Sequence, residues 1–122
     1  MCDVLVLDGE MLLRGLLTEV LADAGLAVRE AETVWAARQL LREDGARLLV
    51  TDNDLPEGGG HALAREALRL DPGLLVIHTS GRWEALRDLA LTPRERVLPK
   101  PFKAGKLVEM AQEMIGSRHH EQ

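Results

Sequence analysis

Short runs of consecutive apolar residues recur along this chain, and segments with helical periodicity separate them. The runs fall at residues 4–7, 26–28, 48–51, 74–78 and 96–98. In the first, third and fourth, apolar residues occupy most consecutive positions, as in strands covered on both faces. The second is short and runs into Arg29 and Glu30, which predicts an edge strand. In the first intervening segment, Leu13, Leu17, Val20, Leu21 and Ala24 line one helical face, and Gly25 follows as a stop. Ala37, Leu40 and Leu41 mark a second helix ending near Gly45. Residues 61–70 make a third, stopped by Asp71, Pro72 and Gly73. Residues 83–90 make a weaker fourth, ahead of Thr92 and Pro93. Residues 103–115 make a fifth, with Leu107, Met110, Ala111 and Met114 inward and Gly116 as its end.

Five strand–helix units of roughly 20–25 residues predict an α/β fold with a doubly wound, five-stranded parallel sheet and right-handed crossovers. The chain of 122 residues suits one domain, assigned to residues 1–117, with 118–122 as a frayed polar tail. Apolar residues make up 46% and charged residues 29%, which excludes a disordered chain. No apolar stretch approaches the ~20 residues of a membrane span, and no basic region precedes the first apolar run. Cys2 has no partner for an internal disulfide. Together these features predict a cytoplasmic protein. A net charge of −5, with one Phe, two Trp and no Tyr, argues against nucleic acid as a partner.

Open parallel sheets place their sites at the carboxyl ends of the strands. There the sequence sets Asp8, Gly9 and Glu10 after the first run and Asp52 after the third. Thr79 and Ser80 follow the fourth run, and Lys100 follows the fifth. Two acids, a hydroxyl and a lysine at one end of one sheet suit phosphoryl chemistry. Carboxylates hold Mg²⁺, lysine neutralises phosphoryl oxygens, and a carboxylate can act as nucleophile. Asp and Thr also end strands as plain turn residues, so the weight rests on their joint arrangement. The glycines Gly58, Gly59 and Gly60 lack the spacing of a phosphate-binding loop and read as a flexible connection into the third helix. His78 reads as a packed core histidine. Neither it, His61, nor the tail pair His119 and His120 has the spacing of a zinc site.

These residues resemble the receiver domain of bacterial two-component response regulators along essentially the whole chain. The likeness rests on Asp8, on Asp52-x-x-Leu55-Pro56 with a following Gly60, on Thr79-Ser80-Gly81, and on Lys100-Pro101-Phe102. It implies a flavodoxin-like (βα)5 fold with strand order 2-1-3-4-5. It implies a phosphoacceptor, not a turnover enzyme. Asp52 would take a phosphoryl group from a histidine kinase or histidine phosphotransfer protein, with Thr79 as the switch hydroxyl and Lys100 as the phosphoryl partner. Mg²⁺ would sit on Asp8, Asp52 and the backbone carbonyl of Asp54. The Lys100–Pro101 bond would be cis.

Two positions depart from the family pattern. Gly9 stands where a second acid usually ligates the metal, so weak Mg²⁺ binding is expected unless Glu10 or the Asp54 carboxylate substitutes. Val97 stands where an aromatic usually couples to the switch hydroxyl; Trp83 is a candidate substitute. With no effector segment after the fifth helix, output is expected to pass through another protein, and activated receivers can pair through their last helices. Met11, Leu12 and Gly15 form a candidate docking patch for the phosphodonor. The crevice is expected to be open to water, so that losing Lys100 costs little stability. Two other readings compete: a degenerate receiver acting as a phosphorylation-independent binding module, and a haloacid-dehalogenase-type phosphatase using Asp52 and Asp54. The second lacks a further acidic motif after the lysine, because Glu109 and Glu113 fall within the predicted fifth helix and Glu121 in the tail.

Overall fold

A computed structural model describes residues 1–120. In chain order the elements are β1 (Cys2–Leu7), α1 (Met11–Asp23), β2 (Val28–Ala31), α2 (Val34–Glu43), β3 (Ala46–Asp52), α3 (Gly60–Leu70), β4 (Leu75–Ser80), α4 (Trp83–Arg87), β5 (Glu95–Pro99) and α5 (Ala104–His120). The strands form one parallel sheet in the order β2-β1-β3-β4-β5, as the resemblance implies.

The two faces of the sheet bury different halves of each strand's alternation. Leu5, Leu7, Leu49 and Val76 pack with Ala37, Leu63, Ala64 and Ala67 of α2 and α3. Val4, Val6, Leu48, Val50, Leu75 and Ile77 pack with Leu17 and Leu21 of α1 and with Leu107, Ala111 and Met114 of α5. Full burial of each such aliphatic side chain contributes about 1.5–3 kcal/mol. The central strands are therefore apolar at consecutive positions, because helices cover both sides.

Several boundaries differ from the sequence expectation. β2 lies at residues 28–31, not 26–28, and takes in the exposed Arg29 and Glu30. α2 starts earlier, at Val34, because the Thr33 hydroxyl accepts the Ala36 amide at 3.1 Å and caps the helix. α4 is shorter and ends at Arg87. α5 does not stop at Gly116 but runs to His120, and residues 121–122 of the expected tail lie outside the described residues. A glycine inside a helix costs only about 1 kcal/mol, too little to end one alone.

The three consecutive glycines are not slack chain. Gly58 and Gly59 have φ of +71° and +89°, where a side chain would be strained. A Cβ on Gly60 would lie 2.2 Å from the Asp52 carbonyl oxygen. The Thr51 hydroxyl donates to the Gly60 carbonyl at 3.0 Å. The start of α3 is thus seated directly on the end of β3.

Candidate functional site

β1 and β3 are neighbours, so their carboxyl ends bring Asp8 and Asp52 together, and β4 sets Thr79 in register with Asp52. Each carboxylate is held by backbone. Asp8 Oδ1 accepts the Glu10 amide at 2.8 Å. Asp52 Oδ1 accepts the Asp54 amide at 2.8 Å, and its Oδ2 accepts the Gly9 amide at 3.5 Å. Lys100 follows β5, its amide bonded to the Ser80 carbonyl, and its peptide bond to Pro101 is cis. Its ammonium reaches Asp8 Oδ2 at 3.0 Å and Asp52 Oδ1 at 3.4 Å.

This cluster is more enclosed than an open crevice. The side chains of Asp8 and Asp52 are 3% and 5% exposed and that of Lys100 16%. Burial pushes the Asp52 carboxyl above its ordinary value. The Asp54 amide opposes that shift, the Asp8 charge reinforces it, and Lys100 offsets part of it. Burial alone would lower the Lys100 ammonium, but its hydrogen bond and charge interaction with Asp8, then with Asp52, hold it above its ordinary value. The pocket thus has one cation shared between two buried anions. An anionic group entering the pocket would meet a positive partner already in place.

Thr79 is buried beside Asp52, its register partner on β3. Asp54 plays a different part from its neighbour. Its carboxylate accepts Ser80 Oγ and the Gly81 amide, each at 2.6 Å, and lies 3.5 Å from the Arg82 guanidinium. Burial alone would raise its pKa, but the Gly81 amide and Ser80 hydroxyl outweigh burial and hold it below the ordinary carboxylate range. That carboxylate is committed to the β4–α4 loop. Glu10 is exposed and lines a cavity of about 410 Å³ with Leu13, Gly81, Lys100, Pro101 and Phe102. A Cβ at Gly9 would meet Leu55 Cδ2 at 3.1 Å, so a leucine methyl closes in on the space beside Gly9.

Met11 and Leu12 are 68% and 80% exposed beside this pocket, and Trp83 is 51% exposed. Sequence reasoning singled out Asp8, Asp52, Thr79 and Lys100, which the fold brings to one end of the sheet. It missed Asn53 and Glu95. Asn53 donates to the backbone around Thr79, and Glu95 is a buried acid bonded to His78. No local sequence signal marked them: only the register of β4 and β5, with Glu95 paired to Val76 and His78 to Val97, puts both polar side chains on the α3 side of the sheet.

The sequence profile of the response regulator receiver domain matches residues 4–112, and the chain belongs to that family of phosphoacceptor domains in two-component signalling. It is 32% identical over 114 residues to the response regulator receiver protein CpdR of Brucella abortus, covering 92% of this chain and 95% of that one. Its fold superimposes with a TM-score of 0.88 on a CheY-like receiver domain protein from Methanospirillum hungatei, at 22% identity over 98% of both chains. It superimposes with a TM-score of 0.83 on the response regulator TrrA of Thermotoga maritima, solved with Mg²⁺ and BeF, at 24% identity over 93% of this chain and 99% of that one. Among the described residues, no helix is long and apolar enough to cross a membrane.

Proposed function

We propose that this chain accepts a phosphoryl group on Asp52 from the phosphohistidine of a histidine kinase or histidine phosphotransfer protein, and signals by protein–protein contacts in the cytoplasm. The observation that carries this reading is the Lys100 ammonium bridging two buried carboxylates at 3.0 and 3.4 Å. An Asp52 oxygen attacks phosphorus as the P–N bond breaks; the bond's electron pair stays on the ring nitrogen, so the donor ring, protonated on its other nitrogen, leaves as neutral imidazole. Lys100 moves its charge from the carboxylate to a phosphoryl oxygen, and the Thr79 hydroxyl donates to another.

The donor set fits Mg²⁺, which takes one or two protein carboxylates and keeps several waters. Asp8, Asp52 and the Asp54 carbonyl would hold it, with Glu10 at the cavity mouth as a further ligand. When bound, the ion supplies positive charge against the phosphoryl oxygens. Gly9 leaves one carboxylate fewer, and the Asp54 carboxylate is already engaged elsewhere. Binding is therefore weak for such a site. The exposed Met11 and Leu12, with Gly15, form the surface on which the phosphodonor docks.

Intact-mass measurement after incubation with acetyl phosphate, with and without Mg²⁺, tests this. The native chain should gain one phosphoryl group only with Mg²⁺, and Asp52→Asn should gain none. Gly9→Asp should raise both Mg²⁺ affinity and phosphorylation rate, with Leu55 giving way by a few tenths of an ångström. If neither the native chain nor Gly9→Asp is labelled, Asp52 is not a phosphoacceptor whether or not the second acid is present, and the chain is a phosphorylation-independent binding module.

A further inference from the structure

Behind the acceptor loop lies a buried polar network that the phosphoryl chemistry does not use. His78 is completely buried on β4. Its Nδ1 lies 3.4 Å from the Asn53 side-chain amide and its Nε2 lies 2.9 Å from Glu95 Oε1. The Asn53 amide nitrogen can only donate, so Nδ1 accepts and the Nε2–H donates to Glu95. The Glu95 side chain is fully buried. It is held from three elements: His78 on β4, the guanidinium of Arg65 on α3, and the Thr92 amide, which donates to Oε2 at 2.8 Å from the loop before β5.

At its other end the network grips the site. The two protons of the Asn53 side-chain amide are shared among His78 Nδ1 and the Thr79 and Thr51 carbonyls, the latter at 3.3 and 3.4 Å, and the Asn53 backbone N–H donates to the Thr79 carbonyl at 2.8 Å. Asn53 directly follows the acceptor Asp52. Two hydrogen bonds therefore lead from that residue to the start of β5, Asn53 to His78 and His78 to Glu95, and a third, Thr92 to Glu95, ties in the loop before it.

Stability alone does not account for this arrangement. Buried ion pairs are on average no better than well-packed apolar side chains, and burying a carboxylate is costly unless every lone pair is met. The groups facing His78 are Glu95 from β5, Asn53 from the acceptor loop, and His61 of α3, whose ring centroid lies 5.8 Å away. Burial, then the neighbouring His61 and Arg65, pull the His78 imidazole down to about 4, so at neutral pH it stays the uncharged bridge that these bonds require. Val97, the register neighbour of His78 on β5, has no polar atom and could not serve as such a bridge.

We propose that His78 is a positioning residue that couples the acceptor loop to the loop entering β5, so that occupation of Asp52 is felt at Thr92 through Asn53, His78 and Glu95. The proposal rests on Asp52 being the phosphoacceptor. A two-dimensional ¹H–¹⁵N NMR titration with Mg²⁺ and beryllofluoride, a phosphoryl mimic, tests both and separates them. In the native chain the Gly9 and Asp54 amides should shift on ligand addition, and the Thr92 amide and the His78 ring nitrogens should shift with them. In His78→Gln, whose side-chain amide preserves a donor toward Glu95 and loses the link to Asn53, the Gly9 and Asp54 responses should persist. The Thr92 response should fall to less than about a third. Asn53→Ala should do the same.

If the native Gly9 and Asp54 amides do not respond, the phosphoacceptor reading fails and takes the proposal with it. If they respond while native Thr92 and the His78 ring stay still, or if Thr92 responds undiminished in His78→Gln and Asn53→Ala, the coupling is refuted and the acceptor reading stands. The native His78 ring signals decide the matter even where a variant does not fold.

Discussion

Replacing Lys100 by methionine keeps most of its stem and deletes its charge. Two carboxylates that are 3% and 5% exposed then face one another with no cation between them. Breaking a buried pair by removing one partner typically costs about 3–5 kcal/mol. The protein has one escape, which is to protonate Asp52, whose carboxyl burial already pushes up. From an ordinary carboxylate value of 3.8, holding a proton at pH 7 costs about 1.4 kcal/mol per unit, or about 4 kcal/mol, which caps the loss. At pH 5 the same proton costs about 1.6 kcal/mol. A carboxyl whose folded pKa is raised binds more protons folded than unfolded, so stability falls as pH climbs through that window. Urea unfolding without Mg²⁺ should therefore show Lys100→Met less stable than the native chain by about 3–4 kcal/mol at pH 7 and by about 1.5 kcal/mol at pH 5. The double variant with Asp52→Asn should recover most of the loss. A cost under about 1 kcal/mol at pH 7, or one equal at both pH values, would show that water reaches the cluster freely and that the ammonium does not hold it together.

Three further substitutions probe the surroundings. Asp52→Asn alone should raise the melting temperature at neutral pH, because it removes a carboxylate whose folded pKa is raised; by the same linkage the gain should shrink as pH falls toward 3.8, and a constant gain would contradict it. Asp54→Ala should cost about 1 kcal/mol and speed amide exchange at Gly81, since it removes the acceptor for Ser80 and Gly81; unchanged Gly81 protection would show that the loop is held by other means. Gly60→Ala should destabilise by about 1–3 kcal/mol in thermal or urea unfolding, because its Cβ would strike the Asp52 carbonyl; a neutral result would mean α3 can lift away from β3.

What could be read from the sequence followed from how each element is covered. β1, β3 and β4 are enclosed on both faces, so apolar residues at consecutive positions betray them. β2 pairs only with β1, and half of it faces water. Its apolar run therefore ends where its hydrogen bonding begins, and the strand was misplaced by two residues. Asp8, Asp52, Thr79 and Lys100 were legible because a parallel sheet puts every strand's last residues at one end. The enclosure of the cluster was not legible, since it depends on how far the chain after β1 and β3 folds over the carboxylates. The engagement of Asp54 was equally hidden. Nothing near position 54 tells that its carboxylate will meet residues 80 and 81. The burial of Glu95 was hidden too, because the groups that hold it, the Arg65 guanidinium and the neutral His78 ring, come from other elements.

Both borders of the sheet are poor templates for further strands. β2 has four residues and presents exposed Arg29 and Glu30, and β5 has five, of which Pro99 lacks an N–H donor. Short, charged or proline-bearing margins deter the edge-to-edge pairing that assembles sheets into aggregates. At high concentration this fold has little tendency to polymerise through its backbone, and contacts between copies are left to helix surfaces, where side chains choose the partner.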